Sequence, residues 1–157
     1  MDIAVILYNI RSAYNVGSIF RTADAANIKK VYLTGITPAP LDQFGLWNSK
    51  IAKVALGAEK TMAWESFRST KKVIQKLKKE GYEIVAIEQS KRSKPFYKFH
   101  PKKDYKLALV LGAEVNGLPK KILQQCEGIL EIPMNGSKES LNVSVAFGII
   151  IFSILYS

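Results

Sequence analysis

An α/β domain built on a mostly parallel sheet flanked by helices is the fold this sequence predicts, and two patterns carry that expectation. Apolar runs of strand length recur at Ile3 to Tyr8, Val31 to Thr34, Glu83 to Ile87, Leu107 to Leu111 and Gly128 to Ile132. Segments that read as helices lie between them, the alternation expected of a parallel sheet with crossover helices. With 157 residues and 48% hydrophobic content, the chain has material for one sizeable core, so a single domain over residues 1–157 is expected.

The first strand begins almost at Met1, with no basic n-region or small-residue cleavage site ahead of it, which predicts a cytoplasmic protein. A first helix is expected from Val16 or Gly17, with Ile19, Phe20 and Ala23 on one side. After the second strand, Gly35 to Gly45 contains Pro38 and Pro40 and reads as a long loop. Between Ser66 and Glu80, Phe67, Thr70, Ile74 and Leu77 recur at helical spacing, and Gly81 is placed to end the helix. Lys71, Lys72, Lys76, Lys78 and Lys79 then form a solvated face. The run from Val143 to Tyr156 is shorter than the roughly 20 residues of a membrane span and reads as a buried helix. It has hardly any polar side. A monomer would cover one apolar flank and expose the other, which predicts a homodimer through this helix.

A net charge of +10 and a pI near 9.7 point to a polyanionic partner, nucleic acid first and an acidic membrane surface second. The segment from Lys91 to Lys106 concentrates seven basic residues against one acidic residue, with four aromatic rings and two prolines. Lysines follow phosphates and exposed rings stack on unpaired bases, so Lys91, Arg92, Lys94 and Tyr97 are candidate RNA contacts. The same aromatics could instead pack on the core. One cysteine, Cys126, and one histidine, His100, give no basis for a disulfide framework, a zinc site or a Cys-His catalytic pair, and no metal is expected.

Three stretches carry the chemistry: Asn15-Val-Gly-Ser-Ile-Phe-Arg21-Thr-Ala-Asp24, Leu109-Val-Leu-Gly112-Ala-Glu114-Val-Asn116-Gly117-Leu118, and Ile132-Pro-Met134-Asn-Gly136-Ser-Lys-Glu-Ser140-Leu-Asn142-Val-Ser144-Val145. Each sets small or amide-bearing residues where a strand is expected to end. Glycine admits a close backbone approach, and Asn, Ser and Glu aim fixed hydrogen bonds outward, so a ligand site at strand ends is implied. There is no G-x-G-x-x-G fingerprint, and the turn from Gly112 to Gly117 continues with Leu118-Pro119 where a P-loop has Lys-Ser/Thr. Glu114 in that turn favours a cationic ligand over a triphosphate.

In this order and spacing the three stretches resemble the signature motifs of SpoU-type (TrmH-like) RNA 2′-O-ribose methyltransferases of the SPOUT superfamily. The resemblance runs from Asn15 through the last helix, and Ser140-Leu-Asn-Val-Ser-Val-Ala146 is its most specific phrase. It implies a C-terminal deep trefoil knot, an exception among folds. It also implies a homodimer and S-adenosylmethionine (AdoMet) bound in the knot. Residue by residue, it places the cofactor against Ile87, Gln89, Gly112, Ile132, Met134, Ser140 and Leu141, with Ile87, Ile132 and Leu141 around the adenine. Arg21 matches the catalytic arginine and Asn15 its companion, while Glu114, Ser140 and Asn142 fall at the other motif positions. Many relatives carry an additional RNA-binding domain, which is not expected here. For so compact a chain transfer RNA is expected ahead of ribosomal RNA. A noncatalytic RNA-binding protein keeping the same fold is the alternative.

Overall fold

The computed structural model describes residues 1–157. Seven strands form one sheet: β1 (Asp2–Tyr8), β2 (Lys30–Thr34), β3 (Trp64–Phe67), β4 (Glu83–Ile87), β5 (Lys94–Pro95), β6 (Lys106–Leu111) and β7 (Gly128–Glu131). Their order is β3-β2-β1-β6-β4-β7-β5, and every neighbouring pair runs parallel. The helices are α1 (Ala13–Ala25), α2 (Ser49–Ala55), α3 (Ala58–Thr61), α4 (Thr70–Lys79), α5 (Lys120–Leu123) and α6 (Val143–Tyr156).

Alternation along the strands divides the core in two. Ile3, Val5 and Leu7 of β1 join α1, α2 and α6 on one face, where Phe20, Ile51, Phe147 and Ile151 are buried. Ala4 and Ile6 join Val73, Ile74 and Leu77 of α4 and Ile122 of α5 on the other. Gly17 lets α1 and α2 meet: a Cβ there would lie 2.6 Å from the Ile51 carbonyl oxygen. Its close approach therefore serves helix packing and not a ligand.

The five expected strands are present, and the element boundaries that differ have local causes. Helix α1 starts at Ala13, earlier than expected, because Ser12 caps it by accepting from the Asn15 N–H. The stretch from Asn15 to Asp24 is thus helix throughout. Ser66 and Phe67 belong to β3 and not to α4, which begins after the N-cap Ser69. Phe67 packs its ring 6.0 Å from that of Tyr32, and Thr70 accepts or donates at 2.7 Å to Thr34 inside the sheet. On α6, Phe147, Ile150, Ile151 and Ile154 are buried, whereas Val145, Ile149, Phe152 and Tyr156 stand exposed at helical spacing. No helix is long and apolar enough to cross a membrane.

Candidate active site

Because all strands are parallel, the segments that follow β1, β2, β4, β6 and β7 emerge on one edge of the sheet. Residues after β4, β6 and β7 enclose a cleft of about 700 Å³ there. Ile87, Leu111, Leu130, Ile132 and Val143 give it apolar walls, and Gln89, Glu114, Ser140 and Asn142 supply polar groups. All seven residues matched to the cofactor, Ile87, Gln89, Gly112, Ile132, Met134, Ser140 and Leu141, line this one cleft. Gln89 also donates from Nε2 to the Glu139 carbonyl at 2.6 Å, which ties the segment after β7 to the end of β4.

Gly112 is required by its own loop. A Cβ at this position would lie 2.8 Å from the Gly117 carbonyl carbon and 2.9 Å from the Leu118 nitrogen. Gly117 takes φ +60°, and a side chain there would collide with the Glu88 carboxylate. Glu88 in turn accepts from the Leu118 N–H at 2.9 Å and from the Gln89 N–H at 2.8 Å. It is the clearest site residue that sequence reasoning missed, its partner Leu118 lying 30 positions away in the chain.

The three motifs meet in one hydrogen-bond network. Asn15, on the first turn of α1, donates from Nδ2 to Glu114 Oε1 at 3.1 Å. The Arg11 and Ser12 N–H groups donate to the same carboxylate, each at 3.4 Å. Asn142 donates from Nδ2 to Asn15 Oδ1 at 3.0 Å, and its own Oδ1 accepts from the Ser144 N–H at 2.9 Å and hydroxyl at 2.6 Å. Asn142 thereby caps α6 while anchoring it to α1. Burial pushes the Glu114 carboxyl up, but its own N–H, Asn15 and the Ser12 and Arg11 amides outweigh that and hold it below the ordinary glutamate value. Glu114 is therefore ionised at neutral pH, and its donors carry no formal charge.

Arg21 lies apart from this group. It is exposed on α1, about 9 Å along the axis from Asn15, and it does not line the cleft. It forms no ion pair with Asp24, whose carboxylate accepts from the Thr61 hydroxyl at 3.1 Å. Lys91, Arg92, Lys94 and Tyr97 are exposed beyond the cleft, whereas Phe96, Phe99 and Tyr105 pack against the core. Three of the four rings thus pack on the core, and Tyr97 alone is exposed.

Residues 2–152 match the profile of the SpoU rRNA Methylase family. The 23S rRNA (guanosine-2'-O-)-methyltransferase RlmB of Pseudomonas aeruginosa is 31% identical over 155 residues, spanning 99% of this chain and 59% of that protein. The Escherichia coli K12 protein of the same name is 32% identical over 148 residues, spanning 94% and 57%. The chain thus spans little more than half the length of these curated relatives. Among solved structures, an A. aeolicus TrmH/SpoU tRNA modifying enzyme superposes with a TM-score of 0.82 at 28% identity, over 97% of this chain and 73% of that one. An AdoMet-bound rRNA methyltransferase from Sinorhizobium meliloti does so with a TM-score of 0.84 at 28% identity, over 97% and 55%.

Proposed function

Because this chain belongs to the SpoU rRNA methylase family, we propose that it transfers a methyl group from AdoMet to a ribose 2′-hydroxyl of RNA in the cytoplasm. The observation that carries this reading is the network of Asn15, Glu114 and Asn142 at the rim of the cleft, which joins the three motifs into one site. Ribosomal RNA is favoured over transfer RNA, since the named relatives at 31% and 32% identity act on 23S rRNA. That reverses the expectation taken from the compactness of the chain.

The cleft suits AdoMet in size and chemistry. Ile87, Ile132 and Leu141 offer apolar surface for an adenine, and the backbone around Gly112 and Met134 offers hydrogen bonds to its edge. Glu114, ionised and fixed, is the right sign for a cationic ligand. When bound, AdoMet supplies a methyl group on a sulfonium, so the protein's task is alignment. Glu114 and Asn142 hold the loops after β6 and β7 against α1, which fixes the two sides of the cleft. A guanidinium makes a poor general base, so Arg21 is given an electrostatic role. As a fixed cation it stabilises charge developing on the 2′-oxygen and grips a neighbouring phosphate.

Arg21 reaches such a position from the partner of a homodimer. Support comes from Val145, Ile149, Phe152 and Tyr156, an exposed apolar stripe at helical spacing on α6 that a second copy would cover. The trefoil knot belongs to the same proposal. It is supported by β4 lying between β6 and β7, and by the ties from the segment after β7 to Gln89 and Asn15. Mapping ribose methylations in total RNA with and without the gene tests the function: one or a few 2′-O-methyl sites should vanish from 23S rRNA. Loss of a base methylation instead would contradict it.

A further inference from the structure

The connection between β2 and α2 leaves the sheet on the same edge as the cleft and carries a surface outside it. Leu41 pairs antiparallel with Trp47, folding the segment into a tight hairpin. Asp42 fixes its tip, accepting from the Phe44 N–H at 2.8 Å and the Leu46 N–H at 3.0 Å while its own N–H donates to the Leu46 carbonyl at 2.9 Å. Gly45 closes the turn at φ +75°. This rigid tip holds Phe44 at 78%, Leu46 at 65% and Trp47 at 45% exposure. Large apolar side chains held outward by a built turn need a partner.

The charges around the tip identify the partner's chemistry. Lys60 stands 5.2 Å from the centre of the Trp47 ring, and Lys50 and Lys53 are exposed on the helix that follows. None of these lysines is in an ion pair. The nearby acids are engaged internally: Asp42 by the turn, Asp24 by Thr61, and the buried Glu59 by the Gly57 N–H at 2.8 Å. What faces solvent is aromatic and cationic, the combination that binds unpaired nucleic acid. A second copy of the chain would set these lysines against themselves.

We propose that this hairpin docks a single-stranded segment of the substrate RNA flanking the methylated nucleotide, with bases stacked on Phe44 and Trp47 and phosphates met by Lys50, Lys53 and Lys60. The proposal rests on RNA being the substrate. Strands β2, β1 and β6 are neighbours, so the connection that carries the hairpin leaves the sheet about 10 Å from the end of β6, a span that a few nucleotides cover.

The test uses the full chain with Trp64→Phe, which leaves Trp47 as the sole tryptophan. Titration with a single-stranded RNA 12-mer, about the length one such site binds, should quench Trp47 emission, and a duplex of the same length should quench far less. In anisotropy, Trp47→Ala and Phe44→Ser should each weaken single-strand affinity about tenfold. Lys50→Ala with Lys53→Ala should flatten the salt dependence, lowering the slope of log affinity against log salt by about 1.4. Wild-type affinity and unchanged salt slope in all these variants would overturn the docking surface alone. Trp47 emission that follows protein concentration without RNA, with a matching rise in sedimented mass, would give the surface to a second copy and overturn it too. A protein that binds RNA through Trp47 but transfers no methyl group would sink the proposed function and leave the surface standing. No RNA binding by the wild type would overturn both.

Discussion

At the N-terminal ends of the strands charged side chains pair with one another: Lys29 with Asp2, Lys30 with Glu65, Lys76 with Glu80 and Lys78 with Glu127, at 2.5 to 3.0 Å. At the C-terminal ends there is no ion pair, and the carboxylates of Glu88 and Glu114 are held by backbone N–H groups and an amide. The first arrangement cancels charge at a solvated surface, where such pairs stabilise little. The second fixes a carboxylate without cancelling it, so its field is presented to whatever enters the cleft. The difference separates an edge that only holds the fold from one built for a ligand.

The contrast should break hardest at Gly112. Gly112→Val pushes the 112–118 loop off its glycine and should lower methyl transfer about 100-fold or more, with AdoMet affinity lost in calorimetry. Arg21→Ala should lower transfer by about 10²–10³, the scale of one transition-state donor, while AdoMet affinity stays within about threefold. Mixing the two variants should restore part of the activity through hybrid dimers, and Ile149→Asp in the exposed stripe should abolish that restoration.

A smaller effect is expected at Glu114, and its pH dependence gives it away. Its folded-state pKa is depressed, so its stabilising contribution is present above the unfolded value of about 4.3 and is lost as pH falls through the folded value. Glu114→Gln should cost about 1 kcal/mol or less at pH 7, the carboxylate being exposed. Thermal melts of the variant and parent should draw together only as pH falls through the depressed folded value of the Glu114 carboxyl, below which both carry a neutral group. Least of all should change in Lys29→Ala at the opposite edge: about 0.5 kcal/mol or less in stability, and unaltered methyl transfer.

Much of the fold was legible because its strands are short, apolar and regularly spaced. Burial of β1 on both faces, with Val5 and Leu7 on one and Ala4 and Ile6 on the other, is why Ile3 to Tyr8 reads as a continuous apolar run of strand length. Where the reading slipped, side-chain chemistry at element ends decided the outcome. Ser12 drew the start of α1 to Ala13, three residues upstream of Val16, and β3 claimed Phe67 because its ring packs on Tyr32 across the sheet. A ligand site at strand ends was readable from residue type, since few other positions combine glycine, amides and an acid there, whereas the individual cleft residues came from the family resemblance. Glu88 was not, because its partner Leu118 is 30 positions away and only the fold brings them together. Nor could spacing reveal that Ile151 serves the core and Ile149 the exposed stripe, a distinction set by which side of α6 meets the sheet.

The most direct measurement is the chemical identity of the product. Purified protein incubated with tritiated AdoMet and 23S rRNA should label the RNA, and alkaline hydrolysis should leave the label in resistant dinucleotides, because a 2′-O-methyl group blocks cleavage at its own phosphate. Digestion to nucleosides should then yield a 2′-O-methylated nucleoside. Label released entirely in mononucleotides would place the methyl group on a base, and no transfer to rRNA or tRNA by a dimer that binds both AdoMet and RNA would contradict a ribose methyltransferase at this cleft.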